Sequence, residues 1–246
     1  TGFVVVCHFC KDILINMLSV EESSIDVIAS CLSKEKLQNT SSSEILGSSI
    51  ISVGRLIERK GYKFLIQSVV RLKKEIPNIK LRIIGDGPQK KELLLLIKNL
   101  QAEDYIFIFD DLDDNSLSSL YAKSDLFILA NYKLPNGDTE GCPSVFSEAM
   151  AHGLPVIGGI GAGVETAIIH KENGMIIDTS NPIEIDNSIR DLLTNKLNAE
   201  LMVSNGKKKL IRDHRPEVVG AAFSVSINRF NNGARASGFQ NDFNQS

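Results

Sequence analysis

Two carboxylates, Glu140 and Glu148, stand eight residues apart in the stretch DTEGCPSVFSEAMAHGLP, which runs from Asp138 to Pro155. Between them Gly141-Cys142-Pro143 reads as a turn that opens a helix. Pro143 near the first helical position costs little, because an N–H there has no partner within the helix. His152-Gly153 reads as the helix end, and Pro155 bars continuation. On such a helix Val145, Phe146, Ala149 and Met150 share the core face, while Ser144 and Glu148, four apart, share another. A loop acid, a helix start and a second acid one turn in make a small polar site. The positive end of a helix attracts phosphate. Spacing alone favours a capped surface helix with two solvated acids, so the weight must come from the surroundings.

Upstream, Gly54-Arg55-Leu56-Ile57-Glu58-Arg59-Lys60-Gly61 puts Arg55 and Lys60 five apart in a loop. An arginine grips phosphate oxygens in a two-pronged fashion and a lysine adds a point charge, so the pair suits a diphosphate; two solvated loop cations would look the same. Gly85-Asp86-Gly87 is half of a dinucleotide fingerprint, and Gly159-Ile160-Gly161 has Val164 where the third glycine belongs. Both argue against a nicotinamide cofactor and for a flexible turn against phosphate or sugar. Asp111-Leu112-Asp113 could hold a divalent metal, but an Asp/Asn-rich loop before a helix is explained by capping, and no metal is expected. Cys7-His8-Phe9-Cys10 lacks a second ligand pair for zinc. It follows the strand-like Phe3–Val6, whereas a redox motif opens a helix, so neither role is expected. His152 suits a helix end; His8, His170 and His214 have no partner evident in the sequence.

The elements that must position these residues alternate in type. Short apolar runs at 50–53, 80–84, 105–109, 126–130, 155–158 and 174–177 read as strands, and helical periodicity recurs at 62–75, 89–100, 117–122, 164–169, 182–193, 197–211 and 215–230. Before them, Phe3–Val6 and Val27–Ala29 read as strands and Lys11–Leu18 as a helix. Alternation of this kind gives an α/β fold, a Rossmann-like parallel sheet with helices on both faces. Ligands of such sheets sit outside the carboxyl ends of the strands. Arg55, the Gly85 turn, the Asp110 loop, Glu140 and the glycines from 159 to 163 each follow a strand, so the order of elements lines them along one edge. Division into 1–46, 47–213, a helix at 214–230 and a disordered tail at 231–246 follows from the composition, with a Ser-rich linker at 40–43 and 47–49.

A formal charge of −3 and no basic run beyond Lys207-Lys208-Lys209 predict no nucleic-acid surface. With 43% apolar residues the chain can bury a substantial core, and no run approaches the ~18 apolar residues of a membrane span. Four scattered cysteines do not form a disulfide framework, which predicts a reducing, cytoplasmic setting. The chain opens on Thr1 without a signal peptide, as a fragment or processed form would.

Taken together, five segments form an ordered series: Gly54-Arg55-Leu56 with Lys60-Gly61, Ile84–Pro88, Leu120-Tyr121-Ala122 with Asp125, Glu140 through Glu148-Ala149-Met150-Ala151 to Gly153 and Pro155-Val156-Ile157, and Glu172-Asn173-Gly174. The series resembles the donor-binding half of retaining GT-B glycosyltransferases, glycosyltransferase family 4 (group 1), over about 50–211. The resemblance implies that Arg55 and Lys60 hold the donor diphosphate and stabilise the leaving phosphate. It implies that Glu140 contacts the donor sugar near the reacting carbon and Glu148 the ribose hydroxyls. Gly85 belongs to the donor site, and Gly141, Cys142, Ser144 and Val145 present backbone N–H groups. The donor would be a UDP- or GDP-sugar, with no cofactor, and transfer to an acceptor would proceed with retention, in polysaccharide or glycoconjugate synthesis. The sequence departs from the family at Asp110, at Gly163-Val164-Glu165-Thr166 and at Ser30-Cys31-Leu32-Ser33. The family also implies an acceptor-binding N-terminal domain, of which 1–46 would be a remnant. Acceptor binding and any peripheral membrane contact would then belong to a missing domain or partner subunit, and the last helix would cross onto it. The alternative is a non-catalytic nucleotide-binding module.

Overall fold

Central strands with apolar side chains on both sides need a cover on both faces, and the chain supplies two. The structure is a computed structural model and describes residues 2–38, 47–161 and 163–236. Strands β1 (Phe3–Val5) and β2 (Ile25–Val27) pair in parallel, with helix α1 (His8–Leu18) between them; the short α2 (Lys34–Gln38) follows. The main sheet contains β3 (Ser49–Val53), β4 (Lys80–Ile84), β5 (Ile106–Phe109), β6 (Leu126–Leu129), β7 (Val156–Gly159) and β8 (Met175–Ile177). Its order is β5-β4-β3-β6-β7-β8, with every pairing parallel.

Side-chain alternation assigns each strand residue to a face. Ile50, Leu81, Ile83, Leu126 and Ile128 point to one side. There they meet α3 (Tyr62–Leu72), α4 (Lys90–Asn99), α8 (Pro182–Thr194) and the start of α9 (Lys196–Asp213). Ile51, Ile84, Phe127, Leu129 and Val156 point to the other side. That side is covered by α5 (Asp114–Ala122), α6 (Val145–Ala151), α7 (Val164–Ala167) and Leu210 of α9. Helix α10 (Pro216–Ala236) then crosses to the N-terminal strands, where Arg229 pairs with Asp26 at 2.8 Å and Phe230 covers Gly2.

This is the expected α/β architecture, with three corrections. The strand expected at Val27–Ala29 is Ile25–Val27. The last helix runs past Phe230 to Ala236, into the stretch expected to be disordered. The Cys-x-x-Cys does open a helix: Cys7 is the N-cap of α1, and its sulfur accepts the Cys10 N–H in place of an oxygen. The Ser-rich reading at 40–43 and the end of the tail, 237–246, fall outside the described residues.

His214 also finds a partner. Its Nδ1 donates to the Ser30 carbonyl at 2.7 Å while its own carbonyl accepts from Leu32 N. Both bonds tie the end of α9 to the segment after β2.

Candidate functional site

In the strand order the chain reverses direction between β3 and β6: successive strands run outward from β3 on one side and outward from β6 on the other. Loops leaving those two strands part in opposite directions and leave a crevice at their carboxyl ends. The loop after β3 carries Arg55 and Lys60, and the long connection after β6 carries Glu140, so strand order alone brings them to one crevice.

Lys60 ends the 3-10 turn Glu58–Lys60 and is buried, as is Glu140. Lys60 Nζ lies 2.6 Å from Glu140 Oε2, and Arg59 Nε lies 3.8 Å from the same oxygen. Glu140 Oε2 is thus held by charge, while Arg59 Nε and Thr139 Oγ1 beside it are buried without hydrogen-bond partners. Unpartnered polar atoms grouped this closely in sequence and charge are costly in a native structure unless a ligand or water meets them. Arg59 also reaches Asp138 at 3.1 Å. The Tyr62 hydroxyl donates to the Gly54 carbonyl at 2.8 Å, and burial, seconded by the Glu140 charge, pushes its pKa up so that it stays protonated. Arg55 is exposed and forms no ion pair among the described residues, so its guanidinium is available.

Gly85 closes the floor. With φ +143°, it sits so close that a Cβ there would lie 2.2 Å from the Gly54 carbonyl oxygen. Beside it Lys90, the first residue of α4, bridges Asp86 and Asp110, which ties the turns after β4 and β5 together.

Helix α6 starts at Val145, with Ser144 as its N-cap; Pro143 stands one residue outside the helix rather than in its first turn. No side chain caps the start, and Ser144 is exposed. Phe146, Ala149 and Met150 are buried as expected, with Val145 partly covered against the same cluster. Gly141 is held from behind: a Cβ on Gly163 would lie 1.8 Å from its carbonyl oxygen, so the Gly163 backbone abuts the loop directly. Cys142 Sγ faces the Val6 carbonyl at 3.8 Å.

Glu148 faces a second space, a cavity of about 310 Å³ lined in part by Lys36, Asn115, Tyr121 and His152. Lys36 Nζ pairs with it at 3.3 Å. His152 stacks on Tyr121 with ring centres 4.9 Å apart. Burial lowers the His152 pKa against the opposing pull of Glu148, and burial raises that of Tyr121. Both rings are therefore neutral near pH 7. Asp113 of the D-x-D caps α5, accepting from Asn115 N and Ser116 N at 3.0 and 2.9 Å. Among the described residues no three His, Cys, Asp or Glu side chains group as metal ligands.

The structure thus joins Arg55, Lys60, Glu140 and Gly85 at the β3/β6 crevice and sets Glu148 one helical turn inside α6. Sequence reasoning missed Arg59, Thr139, Tyr62 and the Lys36–Glu148 pair. Arg59 and Thr139 adjoin singled-out residues and could have been found there. Lys36 had no signal, because only the fold brings it across 112 residues.

Comparison with known proteins follows from this geometry. The model of the family described as "Glycosyl transferases group 1" matches residues 37–209. An uncharacterized glycosyltransferase of Haemophilus influenzae is 32% identical over 171 residues, which is 69% of this chain and 46% of that protein. The GDP-mannose-dependent alpha-(1-6)-phosphatidylinositol monomannoside mannosyltransferase of Mycolicibacterium smegmatis is 26% identical over 159 residues, 64% of this chain and 42% of that protein. The chain spans less than half the length of these curated relatives. Among solved structures, S. aureus TarM with UDP superposes with a TM-score of 0.79 at 19% identity, covering 92% of this chain and 44% of TarM. Anabaena Alr3699/HepE with UDP gives 0.78 at 18% identity, covering 92% and 63%. Among the described residues no helix is long and apolar enough to cross a membrane.

Proposed function

The chain belongs to the group 1 glycosyl transferases, and from that premise we propose that its β3/β6 crevice binds the nucleotide-diphosphate sugar of a retaining family 4 transferase. The observation that carries the reading is the buried Lys60–Glu140 ion pair beside the carboxyl ends of β3 and β6, with the exposed Arg55 on the same loop as Lys60. In this reading Arg55 and Lys60 neutralise the diphosphate and the charge that builds on it as the sugar leaves. Glu140 accepts from a sugar hydroxyl and Glu148 from the ribose, and the uncapped start of α6, Gly141 to Val145, faces the phosphates. No protein nucleophile is assigned: the acceptor attacks from the face the diphosphate leaves. The donor is a UDP- or GDP-sugar, and no cofactor or metal is invoked.

Support also comes from relatives. One is named as GDP-mannose-dependent, and two structural neighbours were crystallised with UDP. Acceptor binding is assigned to a region outside this chain, in a cytoplasmic enzyme of glycoconjugate synthesis. The second reading, a nucleotide-binding module without transfer activity, shares the same crevice.

Calorimetric titration of UDP, GDP and ADP against the pure chain tests the site. Arg55→Ala is expected to weaken the preferred diphosphate about ten- to a hundredfold, the worth of one charge-assisted contact. Equal affinity in wild type and Arg55→Ala would overturn the phosphate assignment.

A further inference from the structure

Three of the four cysteines meet where α1 abuts the Glu140 loop. Cys7 is fully buried. Its sulfur accepts the Cys10 N–H at 3.4 Å, lies 3.3 Å from Cys10 Sγ and faces the Gly141 carbonyl at 3.9 Å. Cys142 lies on the loop side, next to the Gly141 carbonyl that Cys7 faces, with its sulfur toward the Val6 carbonyl at 3.8 Å. Cys31 is exposed and lies outside this contact. No metal-ligand grouping exists here among the described residues, so the cluster presents thiols rather than a metal centre.

Cys7 and Cys10 stand three apart across the first turn of a helix, the arrangement in which a dithiol and a disulfide interconvert with little backbone movement. Bonded sulfurs are ~2.05 Å apart, a distance that side-chain rotation can reach from 3.3 Å. We propose that Cys7 and Cys10 are a redox-active dithiol, closed to a disulfide by exchange with a low-molecular-weight disulfide such as oxidised glutathione.

The exchange balances in two steps. Cys10, the partly exposed sulfur, loses its proton and attacks one sulfur of the oxidised glutathione, forming a mixed disulfide and releasing one glutathione. Cys7 loses its proton and attacks Cys10 Sγ; the Cys10–glutathione bond breaks and the second glutathione leaves. The chain gives up two electrons and two protons, and the glutathione disulfide takes up both. Burial holds the Cys10 thiol up at about 11, so little of it is the attacking thiolate near pH 7 and the exchange is slow. Closing the disulfide removes the Cys7 S–H from the Gly141 carbonyl. Its effect on nucleotide binding rests on the reading of the crevice above; the dithiol itself does not.

Cys31→Ser protein, equilibrated across a series of reduced-to-oxidised glutathione ratios, is quenched with acid, alkylated and mapped by peptide mass spectrometry. Oxidation is expected to take alkylatable thiols from three to one per chain, Cys142, and to give a Cys7–Cys10 linked peptide that dithiothreitol reopens. Three thiols that stay alkylatable, a persistent glutathione adduct, or a Cys7–Cys142 bridge would overturn the proposal. UDP affinity of the oxidised form is expected to fall about three- to tenfold, the worth of one weak hydrogen bond. Equal affinity with the disulfide in place removes the coupling to the loop. Binding by neither form counts against the nucleotide reading and leaves the dithiol standing.

Discussion

At the scale of single residues, Arg55 and Lys60 answer to different forces although the sequence presents them as a pair. Arg55 is exposed and has no ion pair among the described residues, so Arg55→Ala should change stability by no more than about 0.5 kcal/mol while weakening diphosphate binding. Lys60 neutralises a buried carboxylate. Lys60→Ala leaves Glu140 with Arg59 at 3.8 Å alone and should cost about 2–4 kcal/mol, read from the denaturant midpoint. A Lys60→Ala protein as stable as wild type would contradict the buried contact. The two histidines of the core make a separate prediction. Burial lowers the pKa of both His152 and His214 below 6.5, so below that value the unfolded chain binds more protons than the folded one. Stability should be full above about pH 6.5 and decline as the pH falls through the lowered values. Urea midpoints about one unit either side of 6.5 test this, and equal midpoints would exclude it.

At the scale of elements, periodicity located all six strands of the main sheet to within a residue or so, because each is a short apolar run with Gly, Pro, Asn or Asp close to at least one end. Helix α6 was legible for the same reason: a turn opens it, Gly153 ends it, and Phe146 and Met150 mark its buried face. The Cys-x-x-Cys misled, because cysteine is a weak helix-start signal and its sulfur stands in for the usual capping oxygen. The tail misled through its Asn and Gly content, which hid helical spacing beyond Phe230. At the site, residues beside a strand end were readable, whereas Lys36 reaches Glu148 only through the packing of α2 on α6. Phe146, fully buried edge-on to Phe127 at 5.5 Å, anchors α6 to the sheet. Phe146→Ala should cost about 3–5 kcal/mol and loosen the Glu140 loop with it. Hydrogen exchange that quickens across 139–151 but not across α8 would show the loss to be local.

At the scale of the whole molecule, the chain combines a domain built on a six-stranded parallel sheet with a small β1/β2 unit that α10 holds in place. Arg229–Asp26 and Lys34–Glu217 span that junction. Removing 216–246 should leave the main sheet protected from exchange while 2–27 loses protection; loss throughout would mean that the two parts fold as one. In activity, the chain is expected to bind nucleotide and to transfer sugar poorly by itself, since it spans less than half of its curated relatives. Brisk transfer by the pure chain would show that the crevice needs nothing more.

The all-parallel order has a consequence in time. No two strands of the main sheet can pair through a hairpin; each ladder closes only after a helix has been passed over, and β3 meets β6 across three intervening helices. Loop closure must therefore precede most of the native contacts, which places folding toward the slow end of the range, about milliseconds to seconds. During that interval β5 and β8, the two sheet edges, are open to other chains, with Phe109 partly exposed on one of them. Refolding yield should fall as concentration rises, and light scattering during stopped-flow dilution would record the competition between the sheet closing on itself and recruiting a neighbour.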